Sequence, residues 1–244
     1  MRTGALRGGS AFGSDEIWRE IERLKEDKPI VVSMGGLAAS GGYWVSMNAN
    51  AIYAQSTTIT GSIGVISSKF SLEDLYDKIG LKYEVYNRGR NAAMYSLSKP
   101  WDDVELAAVD RMVGETYTRF KKKVSEGRSI DEATVDTIAR GRVWSGTAGK
   151  ARGLVDEIGG FPQALERLKK EAGISSKAKV DLVTYDTRGG SAVARQTVGA
   201  VRSALFQKVD DQPILPPELA ILQQWRLLQD DPVLAVMPYQ LVVR

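Results

Sequence analysis

Ile30-Val31-Val32-Ser33-Met34-Gly35-Gly36-Leu37-Ala38-Ala39-Ser40-Gly41-Gly42-Tyr43-Trp44 is the stretch that decides the fold. Residues 30–34 are nearly all apolar and include β-branched side chains, the composition of a short strand buried on both faces. Gly35-Gly36 reads as a turn. Ser40-Gly41-Gly42-Tyr43-Trp44 reads as the opening of a helix, because glycine is tolerated in a first turn although it is poor in a helix interior. A buried strand feeding a helix through small residues is a unit of a layered α/β fold. The stretch sits inside residues 29–68, which carry no charge at all. A membrane span needs about 20 apolar residues in a row. Here glycines, Asn48, Asn50, Gln55 and several Ser and Thr interrupt the run, so it reads as core strands joined by glycine turns.

The same alternation continues on both sides. Ser14-Asp15-Glu16 starts a helix that runs to residue 25, with Ile17, Trp18, Ile21 and Leu24 on one face. Residues 51–54, 63–66 and 82–86 read as strands. Ser71-Leu72-Glu73-Asp74 and Ser129-Ile130-Asp131-Glu132 resemble capping boxes, closed downstream by Gly80 and Gly141. Residues 103–126 form the longest helix, with Val109, Phe120 and Val124 in its apolar stripe. Ser145 caps a short helix ended by Gly153, Pro162 opens a helix to residue 172, and residues 180–185 form a last core strand. Past residue 188 the texture changes. Amphipathic segments at 192–206 and 217–229 and an apolar stretch at 233–243 suggest a helical C-terminal extension for packing or assembly. The domain expectation is therefore residues 8–188 followed by 189–244.

The composition narrows the chemistry. The 244 residues are 43% hydrophobic and 26% charged, which supports a real core. There is no His and no Cys. That removes a Ser-His-Asp triad, a thiol nucleophile, disulfides and the common zinc sites. A catalytic base would have to be Lys, Asp, Glu or Tyr, or come from another chain. No cofactor is expected. Net charge is +3, from 33 basic and 30 acidic residues. The basic runs Lys121-Lys122-Lys123 and Lys169-Lys170 lie beside Glu126, Glu166 and Glu171, the pattern of solvated helix faces, so nucleic acid is not an expected partner. Residues 1–9 contain no apolar core of signal-peptide length.

Ser40 is the candidate nucleophile. At a strand–turn–helix junction its hydroxyl sits where unpaired N–H groups favour negative charge. The Gly41 N–H, with a second donor from Gly8-Gly9, would receive the oxyanion of a tetrahedral intermediate. On shape alone the simpler reading is that Ser40 caps a helix behind a packed turn, since small-Ser-small turns are common.

Further motifs change that balance. Ala38-Ala39-Ser40-Gly41-Gly42-Tyr43-Trp44, Thr60-Gly61-Ser62-Ile63-Gly64-Val65, Gly141-Arg142-Val143-Trp144-Ser145-Gly146 and Ala151-Arg152-Gly153-Leu154-Val155-Asp156-Glu157-Ile158-Gly159 resemble, in order and spacing, the signal peptide peptidase A family. The resemblance covers residues 8–168. It implies a ClpP/crotonase-like superhelix of repeated β-β-α units and a serine protease with a Ser/Lys dyad that cuts residual signal peptides at the inner (cytoplasmic) membrane. Ser40 matches the family's nucleophile, Gly41 and Gly9 its oxyanion region, and Ser62 lies where a hydroxyl would orient the Lys ammonium. A desolvated Lys of lowered pKa serves as a base without any His.

Two departures follow. Ala92, in Gly89-Arg90-Asn91-Ala92-Ala93-Met94, stands where short family members carry the Lys. And Thr3-Gly4-Ala5-Leu6-Arg7 does not read as the buried strand that precedes the family's first glycines. The chain thus resembles the C-terminal half of a long, two-repeat member, with base and membrane anchor expected from an N-terminal half or partner. Lys69 and Lys99 are the in-chain alternatives for the base. Leu37, Ala38, Tyr43, Trp44 and Val65 are the expected apolar pocket for a peptide substrate, and the tail is the expected surface for homo-oligomer formation. Other readings are a catalytically silent scaffold and a crotonase-type acyl-CoA enzyme.

Overall fold

The computed structural model describes residues 1–6, 8–183 and 234–236. The chain begins with two short strands, β1 (Arg2–Leu6) and β2 (Gly8–Ser10), and helix α1 (Ala11–Asp27) follows directly. The Ser10 hydroxyl caps α1 by accepting the Gly13 N–H at 2.9 Å. The helix therefore starts one turn earlier than Ser14 suggested. Ser14 instead lies in the first turn, donating its hydroxyl to the Ser10 carbonyl at 2.9 Å.

β3 (Val31–Ala39) is the centre of the sheet. It does not turn at Gly35-Gly36 but continues to Ala39. Its first residues pair in parallel with β4 (Ala51–Ala54) and its last with β5 (Ile59–Gly61). β1 pairs in parallel with Ser33, Met34, Leu37 and Ala38 of β3. Ser33, Leu37 and Ala38 are thus shared between β1 and the other two strands, so β1 holds one edge while β4 and β5 divide the other. The glycine pair, free of side chains, lies where the strand changes partners, and the Gly35 carbonyl accepts the Thr58 hydroxyl there at 2.7 Å. The expectation that no strand precedes Gly8-Gly9 is corrected by β1. Parallel pairing is made by the backbone, which the apolar pattern of such a short segment does not report.

The remaining elements surround this centre. α2 (Gly41–Trp44) is one turn long. α3 (Glu73–Lys78) is short, and α4 (Asp103–Arg128) is the longest helix, begun by a true capping box of Asp102 and Glu105. α5 (Glu132–Ile138), β6 (Val143–Ser145), α6 (Gly146–Lys150), β7 (Glu157–Ile158) and α7 (Phe161–Glu171) follow. β6 is antiparallel to β5, β7 is parallel to β4, and β8 (Leu234–Val236) runs antiparallel to β2. The layered α/β class is as the sequence suggested. Capping of α5 falls to Asp131 rather than Ser129.

Alternate residues of β3 serve two layers. Val32 and Met34 join the main core with Ile52, Ile63, Trp44, Phe120 and Val124, where the Trp44 and Phe120 rings stack 4.3 Å apart. Val31, with Ala51 and Tyr53, packs on the other face against Ala164 and Leu168 of α7. Both faces of the central strands are covered, which is why they read as continuous apolar runs. Lys123 of α4 lies over the Trp18 ring at 3.4 Å and pairs with Asp15, tying α4 to α1.

Two predicted strands are not found. Residues 63–66 lie just beyond β5, whose pairing with β3 ends at Gly61, and carry an isolated bridge at Ile66 rather than a strand. Residues 82–86 are exposed and belong to no strand. Among the described residues no backbone bond reaches them, so the alternating pattern is present without a pairing partner. Of 180–185, residues 180–183 are not in a strand, and the rest lie outside the described residues, as do 192–206, 217–229 and the boundary at 188.

Candidate active site

The site begins where β3 ends. The Ser40 N–H donates to the Gly61 carbonyl at 2.8 Å, and the Ser40 carbonyl accepts the Trp44 N–H at 2.8 Å. Between these two bonds the backbone turns through φ 56° and ψ −119°. A non-glycine residue held at such a φ costs on the order of 1–3 kcal/mol and persists only when its surroundings enforce it. Here the rung from Ala39 to Gly61 enforces it on one side and the first turn of α2 on the other. A sharp, strained strand–turn–helix is the geometry that presents a nucleophilic serine.

The Ser40 side chain does not behave as a cap. It makes no capping hydrogen bond, and its Oγ is buried without any hydrogen-bond partner among the described residues. Ser10 and Ser145, by contrast, accept the Gly13 and Ala148 N–H groups at 2.9 and 3.2 Å. A buried hydroxyl without a partner costs about 1–3 kcal/mol. The capping interpretation of Ser40 therefore fails on geometry.

Ser62 repeats the arrangement at the end of the neighbouring strand. Its φ is 50°, its N–H donates to the Arg142 carbonyl at 2.7 Å, and its Oγ is also buried and unpartnered among the described residues. Since Ala39 pairs with Gly61, Ser40 and Ser62 leave adjacent parallel strands at the same level. The carboxyl ends of parallel strands are where α/β sheets place their ligands.

Gly41 and Gly9 come together beside Ser40. A Cβ on Gly41 would lie 3.2 Å from Gly8 Cα, 3.3 Å from Gly9 N and 2.6 Å from Ser14 Oγ. Among the described residues the Gly41 N–H has no backbone acceptor. Gly8 and Gly9 take φ of 105° and 155°, which admits glycine far more readily than other residues. Ser14 is the site residue that sequence reasoning missed. Its spacing four residues beyond Ser10 was the available signal, because that places its hydroxyl back over the start of α1, against Gly41.

The expected pocket needs correction. Ala38 and Tyr43 are 0% exposed and Trp44 is 1% exposed. Trp44 is stacked on Phe120, and the Tyr43 hydroxyl donates to the Leu154 carbonyl at 3.1 Å. These three are core, since side chains following a buried strand in a one-turn helix point back into the main cluster. Leu37 and Val65 are half-buried and remain open to a substrate role. Burial pushes the Tyr43 phenol far above its ordinary value, which removes it as a base.

Neither alternative lysine bonds to Ser40. Lys69 Nζ donates to the Met94 carbonyl at 3.0 Å and lies 5.6 Å from the Trp101 ring centre. Burial lowers its pKa, with Glu105 opposing. Lys99 pairs with Glu105 at 3.0 Å and with Asp102 at 3.1 Å, and the bond to Glu105, followed by that to Asp102, raises its pKa. Ala92 lies in an exposed turn.

Peptidase family S49 matches residues 22–175. The chain is 41% identical over 177 residues to "Serine protease SPPA, chloroplastic" of Arabidopsis thaliana, covering 72% of this chain and 26% of that protein. It is 40% identical over 167 residues to "Protease 4" of Haemophilus influenzae, covering 67% of this chain and 26% of that protein. The chain thus spans about a quarter of the length of these relatives. Among solved structures, a ClpP1 mutant from Listeria monocytogenes is matched at 11% identity over 68% of this chain and 93% of that one, with a TM-score of 0.37. No helix among the described residues is long and apolar enough to cross a membrane.

Proposed function

Because the chain belongs to peptidase family S49, we propose that it is the nucleophile-bearing part of a serine-type endopeptidase. Its substrates are residual signal peptides and other apolar peptides, at or near the membrane. The observation that carries this reading is the Ser40 hydroxyl, buried, unpartnered and held at a strained strand–turn–helix. Ser40 Oγ attacks the scissile carbonyl carbon as its proton passes to a neutral lysine amine. The N–H groups of Gly41 and Gly9 receive the carbonyl oxygen as it becomes negative. The protonated lysine then returns the proton to the leaving amine, and water releases the acyl group by the reverse sequence. Two unpartnered hydroxyls at adjacent strand ends suit an ammonium, which has three N–H donors and no acceptor. Ser62 holds that group beside Ser40.

The lysine comes from an N-terminal half or a partner chain, since Lys69 and Lys99 are engaged elsewhere and Ala92 carries no amine. The same facts favour one second reading, a scaffold that keeps fold and assembly without turnover. A fluorogenic apolar peptide separates them. The chain alone is expected to show little cleavage, and addition of the N-terminal half is expected to raise it by orders of magnitude in a Ser40-dependent manner. Cleavage unaffected by Ser40→Ala would refute the peptidase reading, and a complete assembly without cleavage would establish the scaffold.

A further inference from the structure

We infer that residues 81–86 form an intermolecular strand, pairing antiparallel with the same segment of a second copy of this chain about a two-fold axis at Tyr83. The segment reads Leu81-Lys82-Tyr83-Glu84-Val85-Tyr86, with apolar and charged residues alternating as in a strand with one covered face. All six residues are exposed, Leu81, Tyr83 and Val85 at 45, 40 and 48%. The Leu81 N–H still bonds to the Tyr76 carbonyl at 2.9 Å, but among the described residues the backbone of Lys82–Tyr86 has no partner. Gly80 and Gly89, at φ 73° and 108°, turn the chain at both ends of the segment. Tyr83 fixes which face is which, for its ring lies edge-on to Tyr76 of α3 and its hydroxyl donates to the Ser98 carbonyl.

The partner follows from register. A one-residue slip in an antiparallel pair sets charged side chains opposite apolar ones. Centring the pair on Lys82 or Glu84 opposes identical charges, and parallel in-register pairing does the same. Centring it on Tyr83 opposes Lys82 to Glu84 twice, Leu81 to Val85 twice, and Tyr83 to itself. Opposite charges facing each other across strands are stabilising and like charges are destabilising. This self-complementarity is what an isologous interface requires, residue i meeting j while j meets i. Within one chain Lys82 makes no ion pair among the described residues, while the Glu84 carboxylate accepts only the neighbouring Tyr86 hydroxyl.

The test is sedimentation of the full chain over roughly 1–100 µM, beside Lys82→Glu, Glu84→Lys and the double reversal. Each single reversal makes both cross-strand pairs repulsive, so dimerisation is expected to weaken at least about tenfold, and the double variant is expected to recover it. Since the chain has no cysteine, Leu81→Cys with Val85→Cys is expected to give an oxidised cross-linked dimer, and either alone is not. Circular dichroism checks that these exposed positions leave the fold intact. Ser40→Ala is expected to dimerise like the wild type, so the outcome is independent of peptidase activity. A monomer throughout, a dimer indifferent to the single reversals, as association through the tail would give, or a double variant no better than the singles would each overturn the inference.

Discussion

Ser40→Ala is expected to make the protein more stable, and the sign of that change separates a poised nucleophile from a structural serine. The hydroxyl is buried and unpartnered among the described residues, a condition that costs about 1–3 kcal/mol. Removing it loses the dispersion contacts of a single atom, a few tenths of a kcal/mol. The Cβ stays, so the strain at φ 56° stays. The net expectation is a gain of about 1–2 kcal/mol, or roughly 2–8 °C in melting temperature for a domain of this size. Ser40→Gly also relieves the backbone, worth about 1–3 kcal/mol, against about 0.5–1 kcal/mol of extra chain entropy. It should therefore be at least as stable as Ser40→Ala. Ser10→Ala and Ser145→Ala are internal controls. Both hydroxyls cap helices, so each substitution is expected to cost about 1 kcal/mol. Urea unfolding of the four variants beside the parent measures all of these. A loss of 1 kcal/mol or more in Ser40→Ala would show that the hydroxyl has a structural partner in solution, and the active-site argument built on its isolation would fall.

Gly41→Ala drives a methyl into Ser14 Oγ, 2.6 Å away, and towards Gly8 and Gly9; unfolding should show a loss of about 1–3 kcal/mol, part of it recovered by adding Ser14→Ala. The hydrogen bond from Lys121, followed by that from Arg140, lowers the Asp136 pKa from 3.8 to about 2. Its contribution is complete above the unfolded value and is lost as pH falls from about 4 through 2. An Asp136→Asn variant should show a shallower acid decline in that window, and acid titrations that superimpose would contradict the shift. Ala92 is exposed, so Ala92→Lys in the chain alone adds a solvated ammonium that stays protonated at neutral pH and leaves peptide cleavage at background. A Ser40-dependent rise of tenfold or more would mean that this turn does reach a serine.

The parts of the fold legible in the sequence are those whose signal is local. The Ser145 cap and Pro162 at the start of α7 are set by hydrogen bonds and sterics within a few residues, and the structure has them where the sequence put them. Ser14 misled because Ser10, four residues earlier, offers the same hydroxyl and takes the cap first. β1 was missed because its pairing with β3 is backbone chemistry between residues about 30 apart. Gly35-Gly36 was read as a turn because glycine has the same signature in a bend and in a strand that changes partners. At the site, the shape of the turn alone favoured a cap at Ser40, and the further motifs of the resemblance turned that reading to nucleophile. What the sequence could not show is that Oγ finds no partner among the described residues, a three-dimensional fact. The apolar pocket went wrong for a related reason, since Tyr43 and Trp44 are equally suited to a cleft and to a core, and only the stacking on Phe120 and the bond to the Leu154 carbonyl decide between them.

The two strained serines give the site its physical logic. Ser40 and Ser62 are non-glycine residues at positive φ, each following a paired strand and each with a buried, unpartnered hydroxyl. Strain and desolvation of this order have to be offset elsewhere in a domain whose whole stability is about 5–15 kcal/mol. Here the offset lies directly behind them, in Trp44, Phe120, Ile63 and Val124 of the main core and in the rung from Ala39 to Gly61. A core substitution such as Phe120→Ala would cost about 3–5 kcal/mol and would also remove the ring on which α2 rests. The site should then relax before the domain unfolds, with Ser40 the first residue to leave its unfavourable φ. Hydrogen exchange in Phe120→Ala should accordingly show faster opening at Ser40 and Trp44 than at Val32, because the N–H groups of the first two close the strained turn and that of Val32 lies within the sheet. Uniform acceleration at all three would mean that the turn is no weaker than the sheet, and that the strain assigned to Ser40 is not stored there.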